Sequence, residues 1–364
     1  MRQPAHGGNL AWAAALAGCP PDAILDFSAS ISPLGPPNSA IAAILSQIGN
    51  LKHYPDPNYS ELRLALSHFH QLPPEWILPG NGSAELLTLI GRELAQLAAT
   101  ILITPAFGDY YRTLKAYNAK VLECPLSFVT GHWSLVIGHL SLTKDKGLLL
   151  NNPHNPTGKL FSRDSILPYL EQFALVVVDE AFMDFVLPNE EQSLIPVVQE
   201  YRNLVVLRSL TKFYSLPGLR LGYAIAHPDC LAKWQLWRDP WPVNTLAAAA
   251  AIAALQDTEF QQQTWAWLPP ARNQLFEGLA EIPGLQPQVS AANFLLVESQ
   301  QSTSQLQQQL LQHHQILIRD CLSFKELGDR FFRVSIREES DNQRLLTALS
   351  GKWGVGEAGG DEGE

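Results

Sequence analysis

The sequence predicts an α/β protein with a large domain, built on a mostly parallel sheet between helices, and a smaller α+β domain. The middle of the chain alternates short runs rich in Val, Leu and Ile with helical patterns. This alternation is typical of βαβ units, in which helices cover both faces of a parallel sheet. After about Trp241 the pattern changes to an Ala-rich helix, a long helical stretch bearing Gln and Trp, and short strands. That change predicts the second domain.

Six apolar runs in the middle of the chain predict buried strands. Several are nearly continuous in Val, Leu and Ile, as expected of strands covered on both faces. The predicted strands are residues 100–104, 120–124, 147–151, 175–179, 204–208 and 221–226. Residues 83–98 place Leu86, Ile90 and Leu94 on one face of a predicted helix.

The predicted domain boundaries follow these changes in pattern. Residues 1–45 form an N-terminal arm that we expect to pack with the small domain, and residues 46–240 form the large domain. Residues 241–350 form the small domain, with a helix at 245–255 and strands at 294–298, 316–319 and 331–336. Residues 351–364 are rich in Gly and acidic residues, which predicts a disordered tail.

Composition and charge exclude some classes of function. Of 364 residues, 46% are hydrophobic and 16% charged, so the chain has ample material for a buried core. The net charge of −10 argues against a surface that coats nucleic acid, because such a surface needs a basic stripe. A local group of arginines could still bind a small anionic substrate.

The cysteines and the N-terminal segment indicate a cytoplasmic protein. The four cysteines are far apart and form no C-x-x-C pair, so we expect no metal site and no disulfide framework. The apolar run at residues 10–17 is too short for a membrane span and has no cleavage pattern of a signal peptide, so it predicts a short helix. We therefore expect a soluble protein with no membrane partner.

Lys212 and Asp179 are the two strongest candidates for chemistry. Each stands at or just after the end of a predicted buried strand, where open α/β sheets bind ligands. A carboxylate buried at the end of a strand needs a compensating partner. Taken alone, Lys212 could equally be a surface lysine in a polar loop, and Asp179 could be the N-cap of a following helix.

Two turns offer further polar groups. Asn155 lies in the segment Asn-Asn-Pro-His-Asn-Pro-Thr-Gly, where two prolines and a glycine predict a rigid turn. The segment Gly80-Asn-Gly-Ser-Ala-Glu85 precedes a helix, and free N–H groups at a helix start form a seat for phosphate. A simple Asn-Pro turn and an ordinary glycine turn are the alternatives for these two segments.

The four motifs, in this order, resemble those of the fold-type I pyridoxal-phosphate (PLP) enzymes. The motifs are G-N-G-S, N-P-H-N-P-T-G, V-V-V-D-E-A-F and S-L-T-K-F-Y-S-L-P-G-L-R-L-G-Y. The resemblance implies a seven-stranded, mostly parallel sheet and PLP as the cofactor. It implies that Lys212 forms the bond to PLP and that Asp179 pairs with the ring nitrogen. Asn155 would donate a hydrogen bond to the phenolic oxygen.

Within this class the chain is most similar to the threonine-phosphate decarboxylases of cobalamin biosynthesis, which are related to the histidinol-phosphate aminotransferases. The resemblance rests on H-G-G-N at residues 6–9, D-F-S-A at 26–29, P-W-P-V-N at 240–244 and I-L-I-R-D-C at 316–321. It implies decarboxylation of L-threonine O-3-phosphate to (R)-1-amino-2-propanol O-phosphate, with Lys212 returning a proton. The alternative is a PLP aminotransferase, for instance one that acts on histidinol phosphate.

The resemblance also assigns the other site residues and a homodimer. Phe107 would stack on the cofactor ring, and Tyr54 would reach the PLP phosphate of the neighbouring subunit, so that the active sites of the homodimer are shared. The residues implied for the PLP phosphate are Gly82, Ser83, Ala84, Ser209, Thr211 and Arg220. Those implied for the substrate are His6, Gly7, Gly8, Asn9, Asn155, Arg319 and Arg333. From the residues alone, each of the two arginines could also be a surface residue beside a strand.

The chain departs from these two groups of enzymes at three positions. Phe182 stands where the related aminotransferases usually carry Tyr, which agrees with the resemblance to the decarboxylases. Ser30 and Ser32 stand where the decarboxylases commonly carry Asn. The smaller hydroxyls therefore alter the expected contacts to the substrate.

Overall fold

The computed structural model describes residues 7–129, 132–135, 137 and 144–353. The chain divides into two units, which we describe separately. Unit 1 is made of residues 1–30 and 266–364, and unit 2 of residues 31–265. The predicted boundaries were residues 45/46 and 240/241. The N-terminal boundary lies earlier because helix 38–47 packs against helix 245–256, which places both helices in unit 2.

The strands of the described residues are two to six residues long. In chain order they are β1 (Leu25–Asp26), β2 (Ile77–Asn81), β3 (Thr100–Thr104), β4 (Val121–Pro125), β5 (Ser127–Val129), β6 (His132–Ser134), β7 (Gly147–Asn151), β8 (Leu175–Asp179), β9 (Leu204–Ser209), β10 (Leu221–Ala226), β11 (Leu285–Pro287), β12 (Phe294–Ser299), β13 (Ile316–Leu317), β14 (Arg319–Asp320) and β15 (Phe331–Ser335).

The helices of the described residues connect and cover these strands. In chain order they are α1 (Leu10–Ala17), α2 (Asn38–Gln47), α3 (Ser60–His70), α4 (Gly82–Leu94), α5 (Gly108–Ala116), α6 (Arg163–Leu170), α7 (Pro228–Gln235), α8 (Thr245–Gln256), α9 (Thr258–Ala280), α10 (Thr303–His314) and α11 (Glu339–Trp353). The division between the two units falls inside α9. None of the helices described here is both long enough and apolar enough to span a bilayer.

Unit 2 is built on a seven-stranded sheet with the order β2-β10-β9-β8-β7-β3-β4. The five strands from β9 to β4 are mutually parallel, and β10 runs antiparallel to both of its neighbours. Every residue of β3, β7, β8, β9 and β10 is buried, as predicted from their continuous apolar sequences. This confirms the predicted α/β class and the seven-stranded sheet.

Helix α4 shows how the sequence builds one of the layers on this sheet. Its apolar residues recur every three to four positions, so Leu86, Ile90 and Leu94 lie on one face. That face packs with Leu102 of β3 and Leu149 of β7 in one hydrophobic core. The helix ends at Leu94 rather than at residue 98. Leu97 still packs against the same core, which is why the apolar pattern continued past the helix.

Unit 1 is an α+β arrangement with two small sheets. Four antiparallel strands have the order β11-β12-β15-β14, and β1 pairs in parallel with β13. Residues 316–319, predicted as one strand, are divided between β13 and β14, which belong to different sheets. Within the predicted tail, residues 351–353 belong to α11, and residues 354–364 lie outside the described residues.

Candidate active site

The candidate site of unit 2 lies at the carboxyl ends of the central strands. Asn151, the last residue of β7, is the register partner of Asp179, the last residue of β8, and Asp179 in turn pairs with Leu207 of β9. The segments that carry Asn155, Asp179 and Lys212 therefore leave the sheet at one edge. This is the edge where open α/β sheets bind ligands.

Lys212 follows β9 directly and is half-buried. Its Nζ lies 3.3 Å from Ser209 Oγ and 3.4 Å from Thr211 Oγ1, and these two hydroxyls are 2.8 Å apart. Nζ also lies 5.2 Å from the centroid of the Phe182 ring. The backbone is held in place by Ser32, whose N–H donates to the Lys212 carbonyl at 3.0 Å. Lys212 is thus a half-buried amine with two hydroxyl contacts rather than a surface lysine in a polar loop.

Asp179 is a buried carboxylate with two hydrogen-bond donors. Tyr110 donates its hydroxyl to Oδ2 at 2.7 Å, and the Ala181 N–H donates to Oδ1 at 3.0 Å. Burial raises the pKa of the Asp179 carboxyl, whereas the Tyr110 hydrogen bond and the charge of Lys212 oppose this rise. The charge of Lys212 therefore acts on the pKa of the Asp179 carboxyl. No helix begins at Asp179, so the carboxylate does not act as the helix N-cap considered as its alternative.

The turn that carries Asn155 is buried over its whole length, residues 151–158. Asn152 fixes it by exchanging two hydrogen bonds with the backbone of Phe161, at 2.8 and 2.9 Å. Phe107 precedes α5 and packs edge-on against Tyr110, with ring centroids 5.7 Å apart. Asn155 follows β7 and Phe107 follows β3, and these two strands are neighbours in the sheet.

A corner lined by glycine lies beside Lys212. Gly222 of β10 pairs with Gly80 of β2 and with Ser209 of β9. A Cβ on Gly222 would lie 2.7 Å from the Ser83 nitrogen, and a Cβ on Gly82 would lie 2.8 Å from an Arg220 nitrogen. Three groups therefore meet at this corner: the N-terminal turn of α4 with Ser83 and Ala84, the Ser209 hydroxyl, and the Arg220 guanidinium. Backbone N–H groups at a helix start together with arginine suit a phosphate.

Unit 1 has a separate cluster of predicted substrate residues. Gly7, Gly8, Asn9 and Arg319 line one small cleft, which is also lined by Ser28 and Gln307. Arg319 Nη2 donates to Ser323 Oγ at 2.7 Å. His6 lies outside the described residues. The structure thus brings four of the predicted substrate residues together.

Arg333 lies next to Arg319 in the same unit. The two arginines are register partners on β15 and β14, so their side chains extend from the same face of the small sheet. Both are buried, and the Arg333 guanidinium stacks on Phe294 at 4.7 Å. Burial, followed by the positive charge of Arg319, lowers the pKa of Arg333 to about 10. The pair therefore places two positive charges side by side, and the Asp320 carboxylate lies 3.7 Å from Arg319 Nη1.

Tyr54 lies apart from the other predicted cofactor residues of unit 2. Its side chain is 80% exposed and stacks on Trp241, with ring centroids 4.4 Å apart. Within one chain this position gives no contact to the groups around Lys212 that the structure describes. Its role at a cofactor, which the resemblance places in the neighbouring subunit, stays a prediction.

A buried ionic network on the other face of the sheet was not predicted from the sequence. Arg208 precedes Ser209 in β9, so the two side chains point to opposite faces. The Arg208 guanidinium lies 3.0 Å from Glu180, 2.5 Å from Asp184 and 2.6 Å from Glu191. The signal in the sequence was a charge at the end of each of two apolar runs, Val-Val-Val-Asp-Glu and Leu-Val-Val-Leu-Arg. Tyr110, also missed, carries no such signal.

Comparison with known proteins agrees with this geometry. The family model described as aminotransferase class I and II matches residues 22–349. The chain belongs to the aminotransferase class I and II family. It is 40% identical to the threonine-phosphate decarboxylase of Salmonella typhimurium, over 95% of each chain.

Two further members of the family extend this likeness. The adenosylcobalamin biosynthesis bifunctional protein CobDQ of Leptospira interrogans is 30% identical over 96% of this chain and 41% of its own length. The crystal structure of histidinol-phosphate aminotransferase from Clostridium acetobutylicum has a TM-score of 0.82 and 29% identity, covering 91% of this chain and 99% of its own. The predicted fold-type I architecture is confirmed.

The residues described above fit pyridoxal phosphate, the cofactor on which the chemistry of this family depends. The half-buried amine of Lys212 and the buried carboxylate of Asp179 interact electrostatically. At the corner beside them, Arg220 and the start of α4 approach closely because Gly82 and Gly222 lack a Cβ. An amine, an anion and a phosphate seat are the groups that PLP enzymes use to hold the cofactor. Within the described residues no cluster of metal-binding side chains was found.

Proposed function

We propose that this protein is a PLP-dependent decarboxylase that converts L-threonine O-3-phosphate to (R)-1-amino-2-propanol O-phosphate and CO2 in cobalamin biosynthesis. The observation that carries the proposal is the 40% identity, over 95% of the chain, to a relative named for this activity. The Lys212 and Asp179 pair and the two buried arginines give the proposal its chemistry. The proposed activity assigns this chain to the carboxy-lyases of the family.

The cofactor would be held by residues of unit 2. Lys212 would bond to PLP, Asp179 would pair with its ring nitrogen, Asn155 would donate to its phenolic oxygen, and Phe107 would stack on the ring. The phosphate would occupy the corner formed by Gly82, Ser83, Ala84, Ser209, Thr211 and Arg220. Bound PLP accepts the electron pair that remains at the α-carbon when a bond to that carbon breaks.

The substrate has two anionic groups, and the chain has two adjacent buried arginines for them. Arg333 would bind the α-carboxylate, and Arg319, with residues 6–9, the phosphate, because the planar guanidinium matches both oxyanions. Asn155 would contribute a further contact to the substrate. Binding energy from the phosphate can then orient the reacting end of the substrate.

Lys212 would also move the proton. Decarboxylation breaks the bond between the α-carbon and the carboxylate, releases CO2, and adds one proton at the α-carbon. The Lys212 ammonium would supply that proton as a general acid. Nζ lies 3.3 and 3.4 Å from the hydroxyls of Ser209 and Thr211, so the amine is close to the corner that would hold the phosphate.

Transamination is the second candidate, because the chain shares its fold with a histidinol-phosphate aminotransferase at 29% identity. One feature next to Lys212 favours the decarboxylase. The apolar ring of Phe182 lies 5.2 Å from Nζ, at the position where the related aminotransferases usually carry Tyr.

Product analysis distinguishes the two reactions. The PLP-loaded protein is incubated with L-threonine O-3-phosphate in the absence of any keto acid, and CO2 and the amine are quantified. We expect equal amounts of both, none from the Lys212→Ala variant, and a much lower rate with unphosphorylated L-threonine. If no CO2 is released and glutamate forms when 2-oxoglutarate is added as the amino acceptor, the proposal is overturned.

We also propose that the protein works as a cytoplasmic homodimer with shared active sites. An exposed stripe, here called the α2 face, supports this: Ile41, Leu45, Ile48 and Leu51 are 40%, 64%, 49% and 57% exposed. These residues are spaced by three and four positions, as on one side of a helix, and exposed apolar patches of this kind mark interfaces. The exposed Tyr54 follows the stripe in sequence and would reach the cofactor of the second copy.

A further inference from the structure

Ser28 of unit 1 is buried, and its side chain uses both its donor and its acceptor. The hydroxyl lies 2.6 Å from Asp26 Oδ1, to which it donates, and it accepts the Gly8 N–H at 2.8 Å. The Ser28 N–H donates to the same Asp26 oxygen at 2.7 Å. Asp26 therefore orients the hydroxyl so that its lone pairs face the N-terminal segment.

The carbonyl of Ser28 contacts two other groups of the same unit. Arg333 donates from Nη2 to this oxygen at 3.4 Å. On the other side the backbone of Gly7 packs so closely that a Cβ on Gly7 would lie 2.2 Å from the Ser28 oxygen. Only glycine fits at this distance. Gly8 next to it has a φ of +79°, a conformation that also favours glycine.

Ser28 thus joins two parts of unit 1 that are far apart in sequence. On one side it holds the Gly7–Gly8 turn, which lines the cleft that includes Arg319. On the other side it bonds to Arg333, the register partner of Arg319. Loss of the hydroxyl would remove the acceptor of the Gly8 N–H and one of the two donors to Asp26 Oδ1, so the turn would lose the bond that ties it to Ser28.

We propose that Ser28 is a positioning residue whose hydroxyl holds the Gly7–Gly8 turn against the residue whose carbonyl accepts from Arg333, so that binding of the substrate's anionic groups depends, through the turn, on this hydroxyl. This inference rests on the proposed function in that Gly7, Gly8 and Arg333 are taken as substrate-binding groups. Ser28 itself touches no reacting atom. Its effect therefore belongs in the affinity for substrate and not in the chemical step.

Steady-state kinetics with L-threonine O-3-phosphate tests this effect. For Ser28→Ala we expect KM to rise about tenfold, the change that the loss of one hydrogen bond gives, while kcat stays near the wild-type value. Ser28→Cys, of similar size but with a weaker donor and acceptor, should fall between the two. Ser350→Ala, which removes an exposed hydroxyl of α11 that bonds only within its helix, is the matched control and should leave KM unchanged.

Hydrogen exchange of the substrate-free protein gives a readout independent of activity. Peptides that contain the Gly8 amide should exchange about tenfold faster in Ser28→Ala than in wild type, because the Ser28 hydroxyl is the acceptor of that N–H. Ser350→Ala should exchange at the wild-type rate. If Ser28→Ala does not fold, Ser28→Cys carries both measurements.

The combined results separate this inference from the proposed function. Wild-type exchange in the Ser28 variants, or faster exchange with an unchanged KM, would overturn the positioning role while leaving the decarboxylase proposal intact. A tenfold loss of kcat in Ser28→Ala with no change of KM would also overturn it. A wild-type protein without decarboxylase activity would refute the proposed function, and the exchange measurement would still decide whether Ser28 holds the turn.

Discussion

At the scale of single residues, the charge of Asp179 depends on the groups around it. A buried carboxyl takes up a proton more readily than one in water, and a protonated Asp179 could not pair with a cationic ring. The Tyr110 hydroxyl, 2.7 Å from Oδ2, and the Ala181 N–H are the donors that counter this effect. Tyr110 is therefore as much part of the site as the residues that carry a motif.

Replacing Tyr110 by Phe should weaken PLP binding. Hydrogen bonds to charged groups contribute about 1.5–3 kcal/mol, so we expect the Kd for PLP to rise about 10- to 150-fold. The Kd is measured by titrating the apoprotein and following the absorbance of bound PLP. Tyr117→Phe, on an exposed residue after α5, is the control. Equal affinity of Tyr110→Phe and wild type would refute this role.

His70 makes the stability of the protein sensitive to acid. Burial, and next the charge of Arg208, lowers the pKa of His70 from 6.5 to about 3, and its Nε2 is 2.7 Å from the Tyr223 hydroxyl. Between pH 6.5 and 3 the unfolded chain binds a proton here that the folded chain does not. The free energy of unfolding must therefore fall as pH falls, by at most about 1.4 kcal/mol per pH unit from this group.

Urea unfolding at several pH values between 7 and 4 measures this slope. His70→Gln should be less stable than wild type at pH 7, because it alters the contact to Tyr223, but should lose less stability as the pH falls. His68→Gln, at an exposed position of the same helix, should keep the wild-type slope. Identical slopes for His70→Gln and wild type would contradict the assignment.

At the scale of elements, β10 allows the start of α4 to approach the sheet. Gly222 lies so close to Ser83 and to the Arg208 carbonyl that a Cβ would be 2.7 and 2.8 Å from their backbone atoms. Backbone atoms cannot move aside as the end of a flexible side chain can. The glycine is therefore required for the shape of the phosphate corner.

Gly222→Ala should push the start of α4 away and weaken PLP binding. Overpacking of this kind costs about 1–3 kcal/mol, and we expect both a lower Tm and a higher Kd for PLP. Gly218→Ala is the matched control, since a Cβ there would meet no atom within 4 Å and its φ is not positive. A Gly222→Ala protein with wild-type Tm and Kd would show that the corner accommodates a Cβ and that glycine is not required there.

Elements with strong local patterns could be predicted from the sequence, and those decided by distant partners could not. The bounds of β3, β7, β8 and β10 match the predicted strands, because each contains an uninterrupted run of apolar residues. Residues 316–319 were predicted as one strand. They are divided because Ile316 pairs with Leu25 and Arg319 with Arg333, contacts that no local pattern encodes.

The candidate site shows the same limit. Lys212, Asp179 and Asn155 could be found because each stands at the end of an apolar run or in a distinctive turn. The partner of Asp179 could not, because Tyr110 is 69 positions away in the chain. The contacts of Ser28 to Gly8 and Arg333 could not be predicted either, since they span 20 and 305 positions.

At the scale of the whole molecule, the proposed homodimer makes a prediction about the α2 face. Leu45→Glu together with Ile48→Glu places two charges on exposed positions, so the chain should still fold. Sedimentation should show twice the chain mass for wild type and the single mass for this variant. Leu236→Glu, 87% exposed and outside the α2 face, should remain dimeric. A wild-type protein that sediments as a monomer would refute the dimer.

The proposed reaction requires a bond between PLP and Lys212, which chemical trapping can detect. The PLP-loaded protein is reduced with borohydride, digested, and searched by mass spectrometry for a lysine that carries the phosphopyridoxyl group. We predict that Lys212 carries the group in near-stoichiometric amount and that Lys212→Ala yields none. A phosphopyridoxyl group on another lysine, or on no lysine at all, would contradict the account.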